Sequence, residues 1–217
     1  MSTQRMIVTA DRFCKELINH GNARCFGKYI VSEEIHISKH TFSHDVYIGE
    51  AIFEKLVYFN GCTFQGKFIS ENTTFSDGVV FSASMFIDAV NFSKSKVSAF
   101  GVDDCIFCKM FFCTNTLCSS DFSACGAKFY DALIVQASIF KGDFILDQST
   151  IQKFDCIDAN FNNFSCYSTV FKTSIFPLGT KFTGDINVAG NYSIGMTIYF
   201  QQQNITFDSD DFKKSNN

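Results

Sequence analysis

The sequence predicts an all-β protein, a parallel β-helix of about seven stacked four-sided coils with a short N-terminal capping helix. Three observations carry this. Phe42, Phe53, Phe64, Phe75 and Phe86 recur every 11 residues, and Val97 keeps the step. After a ten-residue step the phase resumes at Phe107 and runs through Cys118, Phe129, Phe140, Ile151, Phe161, Phe171 and Phe182. The residue two places before most of these is small: Ala51, Cys62, Thr73, Ser84, Cys105, Ala127, Ser138, Ser149, Ala159, Thr169 and Thr180, with Ser174 in the same place before Phe176. A chain of 217 residues with 28 Phe, one Pro and no Trp is using Phe as a repeated part.

An 11-residue step also suits a helix of period 3.67. A helix would, however, show more apolar positions per step and fewer of the Gly, Ser, Thr and Asn residues that weaken it. Extended chain fits better: small side chain in, polar out, Phe in, then a bend. A second apolar set lies five or six residues from the first: Ile37, Ile48, Phe59, Phe81, Phe92, Phe112, Ile134, Ile145, Cys156, Cys166 and Phe176. Each unit of five or six residues is thus one short side. Four sides close a coil of about 21 or 22 residues, and coils stack at ~4.8 Å through parallel hydrogen bonding.

The elements follow in order. Over residues 1–30 an N-terminal segment carries a helix at 9–20. Thr9 is placed to cap it, Ala10, Phe13, Cys14, Leu17 and Ile18 form its apolar face, and Gly21 ends it. This helix is expected to plug the first coil, because an open solenoid end exposes Phe and unpaired strand edges. Residues 31–190 form the β-helix. Residues 191–207 lose the repeat but keep alternation, with Tyr192, Ile194, Met196, Ile198 and Phe200 on one face. That face is expected either to fold over the last coil or to form a dimer contact. Residues 208–217 are polar and are expected to be disordered.

The stretch from Phe59 to Phe92 (FNGCTFQGKFISENTTFSDGVVFSASMFIDAVNF), with a second from Phe161 to Phe182, resembles the Phe-rich variety of the pentapeptide-repeat family. Units of that variety read like F-x-x-[AST]-x-F. The resemblance spans roughly residues 31–190. It implies a right-handed quadrilateral β-helix with the central Phe and the small residue both inside. Ser70 or Ile69 replaces a central Phe, and Asp103 and Asp104 fall where a core residue is due, so a loop or bulge is expected over residues 98–104.

Little in the chain points to chemistry. His36, His40 and His44 are four apart, which on a helix would suit zinc. Here they fall on different sides of a β-coil. Cys105 and Cys108 make one C-x-x-C, whereas a zinc site wants two such pairs. In the repeat register Cys105 points inward, while Cys108 and Cys113 are expected to point outward. No phosphate loop, nucleophile elbow or H-E-x-x-H is present, and a Phe-filled core leaves no interior pocket. No enzyme activity, cofactor or metal is therefore expected.

Net charge is −4, which argues against direct nucleic-acid binding. The apolar runs at 110–113 and 194–200 are far shorter than the ~20 residues of a spanning helix, so no membrane insertion is expected. Residues 1–10 lack the apolar stretch of a secretory leader. The ten Cys are thus read as reduced thiols of a cytoplasmic bacterial chain, or of one exported to a host cell by a dedicated secretion system.

Without a pocket, the outer faces of the rod remain. The reading is a non-enzymatic protein-interaction scaffold with a protein partner of unknown identity, with export as a bacterial effector as one form of it. The alternative comes from the resemblance. Family members directed at type II topoisomerases, including quinolone-protection proteins, mimic duplex DNA, and they dimerise through apolar C-terminal coils. That implies a gyrase inhibitor or protector and a homodimer through the C-terminal end. Between residues 37 and 188 there are 15 acidic and 11 basic side chains, interleaved along the chain. A mimic would need one or two faces swept clear of Lys.

Overall fold

Backbone N–H and C=O groups in short extended segments must find partners outside the segment. Here they find them in the coil above and the coil below. The computed structural model describes residues 5–21, 28–173, 175–176, 178–187 and 192–193, with 175–176 and 192–193 described by their backbone alone. Every strand pair is parallel, and partners lie 20 to 23 residues apart along the repeats.

Four ladders define four sides. The first side pairs strands at 29–31, 52–53, 74–75, 96–97, 117–118, 139–140, 160–161 and 181–182. These eight rungs span about 34 Å at the standard strand spacing. The second side runs through Val57, Val79, Phe100, Phe122, Phe144 and Phe164. The third runs through Phe64, Phe86, Phe107, Phe129, Ile151 and Phe171, and the fourth through Phe68, Val90, Phe111, Leu133 and Phe154. The first and second sides share a 15-stranded sheet and the other two a 13-stranded one, because strands such as 139–145 and 128–134 run around the corner between them.

The other two corners are turns with one left-handed residue. Lys39, Glu50, Gly61, Asn72, Ala83, Lys94, Asp104, Asn115, Gly126, Ala137, Gln148, Asp158, Ser168 and Gly179 all have φ between 48° and 69°. They recur every 10 or 11 residues, always three before the buried residue of the first or third side. The residue after several of them closes the turn directly, as when the Ser95 N–H donates to the Phe92 carbonyl at 3.2 Å. That is the type II turn, whose third residue needs φ > 0. Only three of the fourteen are Gly, so the rest carry a left-handed cost of about 1–2 kcal/mol each.

Inside, volume is conserved side by side. On the first and third sides a small residue precedes a large one: Cys62 and Phe64, Thr73 and Phe75, Ser84 and Phe86, Ala159 and Phe161. On the second and fourth sides either position takes the bulk. Val57–Phe59, Val79–Phe81 and Val90–Phe92 give way to Phe100–Val102, Phe111–Cys113, Phe122–Ala124 and Phe164–Cys166. Ser70 is tolerated at a central site because Phe68 supplies the bulk two places earlier. Rings stack along the rod, Phe42 on Phe64 on Phe86 on Phe107 on Phe129, with centroids 4.6–4.9 Å apart and planes within 9°. Across the core they meet edge to face, as Phe64 does Phe68 at 5.2 Å.

The small site also has hydrogen-bonding work. Ser95 Oγ accepts from the Thr73 N–H (3.1 Å) and donates to the Ser70 carbonyl (2.7 Å), bridging the two ends of the turn beneath it. Ser138 does the same for Thr116 and Cys113. Thr73 and Thr116 donate to the carbonyls of Ile48 and Phe92 in the coil below.

At the N-terminal end the helix spans Ala10–His20, with Thr9 Oγ1 accepting from the Arg12 N–H and Gly21 at φ 63° closing it. Glu33 accepts from the Ala10 N–H at 2.8 Å, placing a carboxylate at the positive end of the helix. Phe13 and Leu17 are fully buried, Phe13 packing edge-on to Phe53 at 5.3 Å. Ile18, expected on the buried face, is 43% exposed, because only one stripe of so short a helix reaches the coil. A strand at Met6–Ile7 adds a further rung on Tyr29–Ile30, which the helical pattern gave no sign of.

Three expectations are corrected. The inward residues of the second set are Phe111, Cys113, Leu133, Val135, Phe144 and Leu146, while Phe112, Ile134 and Ile145 face out half-exposed. Cys113, expected outside, is therefore wholly buried. No bulge occurs over 98–104: Phe100 and Val102 fill the core, the first-to-second corner has one residue fewer, and Asp103 and Asp104 lie outside.

Replacing Ala83 or Ala137 by Gly should raise stability by about 0.5–1 kcal/mol each, since Gly occupies the left-handed region without the Cβ penalty. Gly126→Ala should lower it, its added Cβ meeting Asp104 Oδ1 at 2.6 Å. Urea unfolding of the three variants checks both signs. Ser95→Ala should cost only about 1 kcal/mol by the same assay. The turn beneath can close directly, as the Cys105 N–H does to Val102 O (3.3 Å) beneath Ala127.

Candidate functional site

The ladder that stacks Phe inside also stacks every outward residue into a column, so surface chemistry must be read down the rod and not along the chain. On the second side and its two corners lie residues 77–83, 99–104, 120–126, 142–148, 162–168 and 184–187. They hold Asp77, Asp103, Asp104, Asp121, Asp143, Asp147 and Asp185, and no Lys or Arg. The basic residues of the same coils, Lys94, Lys96, Lys109, Lys128, Lys141, Lys153, Lys172 and Lys181, all lie on the other sides or corners. From residue 77 onward the interleaving seen along the chain is thus a segregation in space; in the two coils below, Lys39 and Lys55 stand at the corners of the same side, and Lys55 pairs with Asp77 at 3.7 Å.

Four of these carboxylates, those of Asp103, Asp121, Asp143 and Asp147, are held by the coil above. Asp121 Oδ1 accepts from the Asp143 N–H (2.9 Å), Asp143 Oδ1 from Asn163 Nδ2 (2.7 Å), and Asn163 Oδ1 from the Asp185 N–H (2.9 Å). Across the side, Asp103 Oδ1 accepts from the Cys125 N–H (2.8 Å) and the Ser123 hydroxyl (2.6 Å). Asp147 Oδ1 repeats this with the Tyr167 N–H (2.8 Å) and the Ser165 hydroxyl (2.6 Å). Gly142 makes room for the first row, since a Cβ there would run into Asp121 Oδ1. Asp77, Asp104, Asp121, Asp143 and Asp185 are exposed and Asp103 and Asp147 half-buried. The result is two rows of carboxylates over about 24 Å of rod, four of the seven held in place.

Elsewhere the described residues form a depression of about 600 Å³ at the corner between the fourth and first sides, lined by Tyr47, Glu50, Ile69, Glu71, Asn72 and Lys94. Its charged groups are partly spent, Lys94 pairing with Glu71 at 2.9 Å. The three spaced histidines do separate: His36 meets Glu34 at 3.1 Å, His40 lies on the Phe42 ring, and His44 is 3.4 Å from the Ser43 hydroxyl. Among the described residues no three His, Cys, Asp or Glu converge on a metal-sized space. No helix among them is long and apolar enough to cross a membrane. Of the C-terminal face, the backbone at Tyr192–Ser193 pairs in parallel with Val170–Phe171, continuing the third-side ladder. Ile194, Met196, Ile198 and Phe200, and the tail at 208–217, lie outside the described residues.

The described cysteines are thiols without a disulfide. Cys105 lies inside as the repeat register requires, and Cys108 is half-exposed outside. Burial pushes Cys105, Cys118 and Cys156 up to about 12 from an ordinary 9.0, desolvation being the main cause, and drives Cys113 well above that ordinary value. They are core filling, with thiolate chemistry suppressed. No family model matches the chain, and no curated protein matches it.

The acid-only side was missed by a sequence-wide charge count. Laying the chain on its 21- or 22-residue coil and counting charge by side would have found it.

The thiols give a pH test. The unfolded chain releases these protons from about pH 9, whereas the folded chain holds them to about 12. Their contribution is complete below pH 9 and is lost as pH rises above it, by on the order of 1.4 kcal/mol per unit per thiol. Urea midpoints should therefore hold to about pH 8.5 and then fall, and the fall should be shallower in Cys105→Ala with Cys156→Ala.

Proposed function

We propose that the chain is a non-enzymatic scaffold that binds a protein partner through the outside of the rod, with the second side over residues 77–187, where no Lys or Arg stands, as the binding side. The observation that carries this is the pair of carboxylate rows in which backbone N–H groups hold Asp103, Asp121 and Asp147 and the Asn163 amide holds Asp143. A filled core leaves the outer surface to do the binding. A one-sign surface attracts an oppositely charged partner over a Debye length and speeds encounter. Because four of the seven carboxylates are already held in place, less side-chain entropy is lost on binding. The partner's contact surface is therefore basic. The Phe-rich interior and the small residue at every second unit agree with the resemblance to pentapeptide-repeat proteins, and the same side would serve inside a bacterium or after export to a host cell.

A second reading, duplex mimicry toward a type II topoisomerase, is favoured by the same stretch of the second side. Duplex DNA carries one charge per ~1.7 Å of axis. Seven Asp over about 24 Å make about one per 3.4 Å, half that density, so the general basic partner ranks first.

Asp→Asn at 104, 121, 143 and 185 keeps the hydrogen-bond acceptor and removes charge. Proteins captured by the wild-type chain at low salt should be lost with this variant and in about 0.5 M salt, where screening reaches within a few Å. They should be retained when Lys96 and Lys141 become Gln. Capture indifferent to the Asn changes would refute the binding side. A gyrase supercoiling assay, with and without a quinolone, separates the two readings. Inhibition or protection at micromolar protein that the Asn variant loses makes the chain a duplex mimic, and no effect at large excess leaves the scaffold.

A further inference from the structure

The third side carries a different surface. Met85, Ile106 and Lys128 are successive ladder partners just before Phe86, Phe107 and Phe129, so they form one outward column. Ile87, Cys108 and Tyr130, just after those Phe, form the next, and Met110 stands at the adjoining corner. Met85, Ile87, Met110 and Tyr130 are 37%, 41%, 39% and 61% exposed, four of the ten exposed large apolar side chains of the described residues, gathered on three neighbouring coils. A contiguous patch of this kind marks a contact surface. The side is also flat, because the Phe rings beneath it stack within 9° of parallel.

We propose that this patch is a homodimer contact, covered by a second copy of this chain lying face to face with its rod in the same direction. Charge selects the occupant and its direction. Lys128 and Asp131 flank Phe129 on opposite sides, and neither makes an ion pair within the described chain. A two-fold axis along the rod brings Lys128 of each copy over Tyr130 and Asp131 of the other, giving two ion pairs and two cation–π contacts. The same axis sets Met85 against Ile87 and Ile106 against Cys108. Rods running in opposite directions would instead set Lys109 on Lys109 and Asp88 on Asp131, which repel. The exposed apolar area is several hundred Å², below the ~800 Å² per partner of a standard interface, so the dimer dissociates readily. The binding side proposed above lies on another face, so each stands or falls alone.

Sedimentation velocity of the full chain from about 1 to 200 µM tests this. The mass should rise from 24.4 kDa toward twice that value. Ile87→Glu with Tyr130→Glu should stay monomeric while keeping the wild-type circular dichroism melt. Ile139→Glu, changing a 43% exposed residue on the first side, should dimerise as wild type does. Lys128→Asp should weaken the dimer about tenfold, and adding Asp131→Lys should restore it. A monomer at every concentration overturns the proposal. So does a dimer that survives the third-side changes, as one held by residues 191–207 would. A double charge reversal no better than the single one overturns it too.

Discussion

Parallel pairing fixes the distance between coils, and everything else about this chain answers to that spacing. Once strands stack at ~4.8 Å, each coil has a set height and, with four closed sides, a set cross-section. Protein interiors fill at near-crystal density, so each side must supply nearly the same volume in every coil. Phe satisfies this because its ring is thin enough to stack at the same repeat, as the 4.6–4.9 Å column from Phe42 to Phe129 does. Where Phe moves from one position of a side to the other, as between Phe81 and Phe100, its neighbour shrinks or grows to match: Val79 before Phe81, Val102 after Phe100.

The corners show what that fit costs. Eleven turns place a non-glycine residue in the left-handed region, among them Lys39, Glu50 and Gln148. One such residue is unfavourable in isolation. Here it is over-determined by the coil above, the coil below and the turn hydrogen bond, and the burial of two side chains per side outweighs it. The small residue is not small by packing alone in every coil. Ser95 and Ser138 use their hydroxyls to bridge the turn below, while Ala51, Ala127 and Ala159 fill the same site by size alone.

The same spacing organises the outside. A chain that repeats inside is free to vary outside, and each outward residue is aligned with those one coil away. Two rows of Asp gather on the second side and apolar side chains on the third, and from residue 77 onward Lys is kept off the former. Both surfaces are assembled chiefly from residues one coil apart. Asp121 and Asp143 are 22 residues apart and joined by a hydrogen bond, and Met85 meets Ile106 only because the ladder pairs them.

The sequence by itself determined the coil. Phe at a step of 11, with a small residue two before it, is a local pattern, and it specified the parallel ladders, the inward columns from Phe42 to Phe182, and the helix that Thr9 opens and Gly21 closes. Tertiary structure decided the rest. Phe111 and Phe112, or Leu133 and Ile134, are adjacent and both apolar, so alternation alone leaves their faces open. Pairing with the coils on either side turns Phe111 and Leu133 inward, because a one-residue slip would reverse every side chain on that strand. The Met6–Ile7 strand is too short to show a period and exists because Tyr29–Ile30 offers an edge. The acid-only side and the apolar patch likewise exist only once the coil is closed. Charge and exposure are properties of a surface, and closure of the coil decides which distant residues share one.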